Sequence, residues 1–323
     1  MNKICLLGPT VAVVGDRRIA GRGFGGVKPR QLLELLALTP GRPVSKGQLA
    51  ELLWDGAPPR SWVATLEAYV SGLRRALDPE APVRRSLVVT TSGGYCLDDR
   101  AQVDLTTFAD EVRRCSSLPA EAALAPLGAA LDGARGVALE DEPYTPWAIE
   151  ARQVHERLVL QASLQAGQHA LECAQPAVAA DHARRATGMD PLDERGWRLR
   201  MQAAWADGDR RAALHAYVQC RDLLQDELGV SPAPSTQQLH QRLLAPVGQD
   251  LVDSLLGQLV DVLLAEGGAT ADDPAPRLAP RTVFDTNALA ARIAAVVQAR
   301  TARTQRQAAH ASVEAIAALP SAG

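Results

Sequence analysis

From Val103 to about Leu244, every apolar periodicity in this chain is helical. Candidate helices run over 105–115, 120–132, 147–172, 176–187, 192–206, 209–228 and 235–244. Between them stand Pro119, Pro143, Pro146, Gly188, Pro191, Gly208, Gly229 and Pro232. Proline stops a helix because it lacks an N–H, and glycine because it frees the backbone. Breaks this short make consecutive helices fold back on each other, as in a tetratricopeptide-like solenoid. Gly208, followed by Ala212, Leu214 and Tyr217, fits that pattern. Composition agrees: hydrophobic residues are 47% of the chain but aromatics only 4%, so cores of Leu, Val and Ala are expected, which favours helices. The 323 residues suffice for two or three domains.

The first hundred residues read differently. Ile4, Leu6 and Leu7 precede a Gly8-Pro9 break, and Val11–Val14 precede Gly15-Asp16, a hairpin dipeptide. Pro29 suits a first helical turn, and Leu32, Leu33, Leu35, Leu36 and Leu38 line a helix that ends near Pro40-Gly41. Ser45 is an N-cap for Lys46–Trp54, with Gln48 placed to close a capping box. After Pro58-Pro59 a helix spans about Ser61 to Leu77. Leu87-Val88-Val89-Thr90 and Tyr95-Cys96-Leu97 flank Ser92-Gly93-Gly94, predicting a hairpin over 86–97. Strands, three helices, then a hairpin is the order of a winged helix-turn-helix.

The sequence therefore predicts a mainly α protein. A winged helix-turn-helix with short β-strands occupies 1–100, a tetratricopeptide-like all-α domain occupies 101–245, and an extension occupies 246–323. In the extension, Leu251, Leu255, Leu259 and Val262 form one stripe of an amphipathic helix over 249–265. A Pro/Gly linker and an Ala/Arg-rich tail follow. The apolar stripe predicts a cap on the preceding domain, self-association or packing on another protein.

The formal charge of −3 hides an asymmetry. Residues 1–100 carry 14 Lys and Arg against 9 Asp and Glu, a net of +5. Residues 101–245 carry 14 against 20, a net of −6. A basic head on an acidic body suits an anionic polymer as partner, although drift in surface charge gives the same numbers. The difference in charge and pattern also predicts a head that folds without the body.

Signals for other functions are weak. Gly21-Arg22-Gly23-Phe24-Gly25-Gly26 satisfies G-x-G-x-x-G, but a second helix follows where a dinucleotide fold needs a strand. The six histidines show no HExxH spacing, and neither G-x-S-x-G nor Walker A occurs. Glu140, Asp141 and Glu142 read as a loop cluster with a structural or solvated role. The five cysteines are scattered, with no C-x-x-C, so neither disulfides nor a zinc site is expected. Asp253 and Asp261 interrupt the best membrane-span candidate, 251–264. The expectation is a cytoplasmic, non-enzymatic protein without cofactor, metal or membrane contact.

Helix 61–77 is the informative element. At 100° per residue, Leu66, Val70, Leu73 and Leu77 cluster on one face. Ser61, Ala64, Ala68, Ser71 and Arg75 occupy the other. Small residues permit close approach to a major groove, and an arginine reaches a guanine edge or a phosphate. A plain amphipathic surface helix would show the same stripe; the hairpin and the basic balance favour DNA. The predicted contacts on double-stranded DNA are Arg60, Ser61, Ala64, Thr65, Ala68, Ser71, Arg74 and Arg75 from this helix. From the hairpin they are Thr90, Thr91, Ser92 and Tyr95. Arg74 lies beside the apolar stripe, which suggests that its stem packs or that its head meets backbone phosphate.

These residues resemble a family. Lys28-Pro29-Arg30-Gln31-Leu32-Leu33, Gly41-Arg42-Pro43-Val44-Ser45, Glu51-Leu52-Leu53-Trp54, the run Leu66–Leu77 and Gly93-Gly94-Tyr95 look like antibiotic regulatory protein (SARP) activators, whose head is an OmpR-type winged helix. Val103-Asp104-Leu105 with Phe108 looks like the start of the bacterial transcriptional activator domain. Trp147, Gly208-Asp209, Tyr217, Cys220-Arg221 and Glu227-Leu228-Gly229-Val230 look like its later part. The resemblance covers roughly 1–245. It implies a transcriptional activator that binds direct repeats near a promoter and contacts RNA polymerase. Gly72 departs from the family, which usually has a larger polar or basic residue there, and Thr91-Ser92 stand where the wing often carries Arg or Pro. The competing readings are a helical-repeat adaptor whose head binds protein, and an enzyme with a cryptic site in the body.

Overall fold

A computed structural model describes residues 2–77, 79 and 86–244. The amphipathic helix, linker and tail expected beyond 246 lie outside the described residues. The head opens with three strands, β1 (Asn2–Cys5), β2 (Val11–Val14) and β3 (Arg17–Ala20). They form an antiparallel meander in which Val14 faces Arg17 across the Gly15-Asp16 turn. Helix α1 (Val27–Ala37) follows and is buried almost throughout, with Leu32, Leu33 and Leu36 fully enclosed.

Strand β4 (Val44–Ser45) leads directly into α2 (Lys46–Trp54). Ser45 caps α2 as expected: its hydroxyl accepts from the Gln48 amide, and the Gln48 side chain accepts from the Ser45 amide. Helix α3 (Trp62–Leu77) and the hairpin β5 (Val88–Thr90) and β6 (Gly94–Leu97) complete the head. The sequence reading missed β4, a two-residue strand too short to show a period. It pairs with β6, giving the order β4-β6-β5. That pairing depends on Gly94, where an added Cβ would lie 1.9 Å from the Val44 carbonyl oxygen.

Seven helices form the described body: α4 (Asp104–Cys115), α5 (Ala120–Gly133), α6 (Pro146–Glu172), α7 (Pro176–Met189), α8 (Glu194–Ala206), α9 (Arg210–Leu228) and α10 (Pro234–Leu244). Each packs on the next, in the tetratricopeptide-like manner. Fully buried alanines line the central seam: Ala162, Ala166 and Ala170 on α6, Ala179 and Ala183 on α7, and Ala203 on α8. Small side chains let the helices approach closely, so few aromatics are needed to fill the space. The fold is mainly α, a winged helix-turn-helix followed by an all-α repeat domain. No described helix is long and apolar enough to cross a membrane.

The head and body share one core, which is not what their difference in charge predicts. Strand β7 (Ala101–Val103) pairs in parallel with β1, setting Asn2 against Ala101 and Ile4 against Val103. Helix α4 begins at the next residue, and the Asp104 carboxylate accepts from the amides of Leu6 (2.9 Å) and Leu7 (3.0 Å). The Gly8 amide donates to the Val137 carbonyl at 2.8 Å, and the Leu139 amide to that of Leu6 at 2.7 Å. Leu105, Leu139 and Trp147 of the body join Ile4, Leu33 and Leu36 of the head in the same apolar cluster.

The acidic loop divides between the two expected roles: Glu140 is exposed, whereas Glu142 is structural. Glu142 is 4% exposed; its carboxylate accepts from Arg30 (2.8 Å), Gln31 (2.6 Å) and Thr145 (2.7 Å). Burial alone would raise its pKa, but these hydrogen bonds bring it below the usual glutamate value. A charged residue in a loop is buried when an arginine from another element waits for it, and sequence spacing does not show that partner.

Glu34 sits behind this pair, fully buried, and accepts from the Thr10 hydroxyl. Burial pushes its pKa up to about 7, against a partial counter-effect from Thr10 and Arg30. The folded state therefore holds this proton more tightly than the unfolded chain. The associated stability is fully present below the unfolded value near 4.5 and is lost as pH rises to about 7. Glu34→Gln is expected to flatten that dependence. Urea unfolding of both proteins at pH 5 and pH 8 checks it: the wild type should lose stability relative to the variant at pH 8, and parallel behaviour would refute it.

Candidate nucleic-acid interface

Helix α3 buries Leu66, Val70, Leu73 and Leu77 against the head. Trp54 at the end of α2 stacks on Tyr69 with ring centroids 6.1 Å apart, which fixes the angle between the two helices. The opposite face of α3 is open: Ser61, Ala64, Ala68, Ser71 and Arg75 are all exposed. Arg60 is exposed just before the helix. Neither Arg60 nor Arg75 forms an ion pair among the described residues. An arginine at each end of a strip of small side chains is suited to a phosphate backbone or a base edge.

Other predicted contacts are occupied within the protein. Arg74 turns toward the hairpin, donating through Nε to the Val88 carbonyl at 2.9 Å and through a terminal nitrogen to Thr90 Oγ1 at 2.6 Å. It locks the wing to α3, which is a positioning role. Thr65 donates its hydroxyl to the Ser61 carbonyl, one turn back on its own helix. Tyr95 is 4% exposed and belongs to the core, so its ring is enclosed rather than presented. Thr91 is half-buried with an enclosed hydroxyl, whereas Thr90 and Ser92 lie at the exposed hairpin surface.

Two residues of this surface escaped the sequence reading. Lys46, at the start of α2, pairs with Glu67 on α3 at 2.6 Å, and its ammonium lies 5.7 Å from the Tyr95 ring centre. Glu67 is exposed beside the small-residue strip, where a lone carboxylate would repel phosphate. Lys46 offsets that charge. The helical period already places Glu67 next to Ala64 and Ser71; its partner on another helix is not legible from spacing.

Family comparison matches this arrangement twice. The family "Transcriptional regulatory protein, C terminal" matches residues 26–97, and "Bacterial transcriptional activator domain" matches 103–244. Regulatory protein DnrI of Streptomyces peucetius is 32% identical over 260 residues, covering 75% of this chain and 92% of DnrI. The chain belongs to the SARP family of transcriptional regulators. Regulatory protein AfsR of Streptomyces coelicolor is 33% identical over 255 residues, but the SARP chain described here spans only 24% of its length. The structure of Mycobacterium tuberculosis EmbR in complex with a low affinity phosphopeptide superposes with a TM-score of 0.66 at 25% identity, over 81% of this chain and 70% of that one. All three relatives are regulatory proteins by name.

Within the SARP fold, Gly72 lies at the edge of the open face of α3. A Cβ there would meet nothing within 4 Å, and its backbone is helical. No contact demands glycine at this position. Gly72→Ala is expected to stabilise the protein by about 0.5–1 kcal/mol, through the lower entropy of the unfolded chain. Thermal unfolding checks it; a lowered melting temperature would mean that the open space is needed.

Proposed function

We propose that this SARP-family protein is a sequence-specific DNA-binding activator in which α3 enters the major groove of double-stranded DNA. The observation that carries the reading is the exposed strip of Ser61, Ala64, Ala68 and Ser71, with Arg60 and Arg75 at its ends and the Arg74-anchored hairpin beside it. The strip admits a close approach, the arginines supply charge, and Thr90 and Ser92 offer hydroxyls to the backbone. Membership of the family supports two further parts of the proposal: recognition of direct repeats near a promoter, and contact between the helical body and RNA polymerase. Self-association on such repeats belongs to the same reading. The protein is proposed to act in the cytoplasm and not as an enzyme; its five cysteines are all free.

A mobility-shift titration on DNA from upstream of the protein's own gene, run at several salt concentrations, tests the reading. Log affinity should fall linearly with log salt, by about 0.9 for each phosphate neutralised. Binding that does not change between about 50 and 200 mM salt would exclude phosphate contacts and favour a protein-binding head.

A further inference from the structure

A cavity of about 810 Å³ opens between α5, the segment 134–138, α6 and α7. The apolar parts of its wall are Val159 on α6 and Val178 and Met189 on α7. His182 and Arg185 stand between those two on the same face of α7, and His155 lines the cavity from α6. Arg185 is pinned in place: its guanidinium donates to the carbonyls of Leu131 (2.8 Å) and Ala134 (3.2 Å), capping the end of α5. Those two bonds leave further N–H groups unused.

Two of the carboxylates that line the cavity are committed elsewhere, whereas Glu156 lines it with no ion pair among the described residues. Asp132 pairs with Arg135 at 2.5 Å, and Asp181 pairs with Arg184. Among the described residues Arg185 forms no ion pair. Burial lowers its pKa, and the neighbouring Arg135 lowers it further. Burial, with a contribution from Arg185, also lowers the pKa of His155 and His182. Both imidazoles are thus neutral near pH 7 and serve as hydrogen-bonding groups. His155 is 8% exposed, and its Nε2 has no hydrogen-bond partner. A half-buried guanidinium with no ion pair and unused N–H groups carries a desolvation cost that an acceptor-bearing ligand would offset.

We propose that this cavity is a binding site for a small organic acid, with its carboxylate on Arg185 and His182 and its apolar portion against Val159 and Met189. Guanidinium geometry matches a carboxylate through paired N–H groups. The site also has an outlet. Residues 136–138 line the cavity and bond the head, through the Gly8 amide on the Val137 carbonyl and a bridge between Leu7 and Ala138. An added Cβ at Gly136 would lie 2.9 Å from the Leu7 carbonyl carbon, so this segment cannot shift without moving the head. Occupancy stiffens the seam between the two. The inference stands without the DNA reading, because ligand binding is measured directly.

The test is calorimetry on the full chain with octanoate, its uncharged counterpart octanol, and inorganic phosphate. Octanoate should bind at least about tenfold tighter than either, a difference of about 1.4 kcal/mol. Met189→Glu, which places a negative charge on the apolar wall and leaves the Arg185 clamp intact, should weaken octanoate about tenfold or more. Arg185→Gln should abolish binding; if the lost clamp unfolds the protein, Met189→Glu carries the test. Hydrogen exchange should slow at 6–8 and 136–139 when octanoate is bound. Octanol binding as tightly as octanoate would overturn the proposal, as would phosphate matching octanoate, indifference to Met189→Glu, or no binding by octanoate.

Discussion

Asp104→Ala is expected to destabilise the protein by about 2–4 kcal/mol, with loss of order at both ends of the seam it joins. The Asp104 carboxylate accepts from Leu6 and Leu7, at the end of β1, and from its neighbour Leu105 at 2.8 Å. Leu6 is fully buried, so its N–H would find no water once the carboxylate is gone. A buried donor without a partner costs about 1–3 kcal/mol, and the amides of Leu7 and Leu105 lose this acceptor as well. The same geometry makes a chain ending at residue 100 incomplete. It would lack β7, the parallel partner of β1, and it would expose the side of the core covered by Leu105, Leu139 and Trp147. Such a fragment is expected to melt broadly and at lower temperature than the 1–245 fragment. Urea unfolding of Asp104→Ala and thermal melts of the two fragments check this; a sharp, unshifted transition for residues 1–100 would show that the head is self-sufficient.

Arg75→Ala should weaken DNA binding by about 1–3 kcal/mol, a loss of roughly fivefold to more than a hundredfold. Arg75 is exposed on the open face of α3, with no ion pair to a described residue that would hold it back from a ligand. If it reads a guanine, the loss will be concentrated at one base position; if it meets a phosphate, affinity will fall across all sequences and the salt slope will drop by about one. Arg113→Ala is the matched control, since that arginine lies on α4 and pairs with Asp110 at 2.6 Å. Mobility shifts with both variants decide the matter. Equal effects, or none, would mean that another face of α3 meets DNA.

Elements with a strong local signal were legible in the sequence. The capping box at Ser45, the Gly15-Asp16 turn and the Pro-bounded body helices each follow from a few neighbouring residues, and the structure places them within a few residues of expectation. The open face of α3 was legible for the same reason, because a helix of known period fixes which residues face away from an apolar stripe. What spacing did not show was pairing across distance. Arg74 was assigned by its angle on the helix, whereas its guanidinium answers to Val88 and Thr90 on the hairpin. Tyr95 was named among the hairpin's DNA contacts, yet it pairs with Val44 of β4 and its side chain is buried in the core. The acidic loop at 140–142 was read from composition, and the burial of Glu142 within it depends on Arg30 more than a hundred residues earlier.

The direct passage from Val103, the last residue of β7, to Asp104, the first of α4, leaves no spacer between head and body. A flexible tether would let the body swing to any bearing around a duplex. Here the strand pairing and the Asp104 clamp fix that bearing, so on the proposed direct repeats each bound copy would project its body at the same azimuth relative to its own half-site. Moving one half-site by half a helical turn would then carry its body to the opposite side of the DNA, and no tether between the described head and body could compensate. A protein built in this way acts as a protractor on the duplex: it registers rotation between sites as strictly as distance.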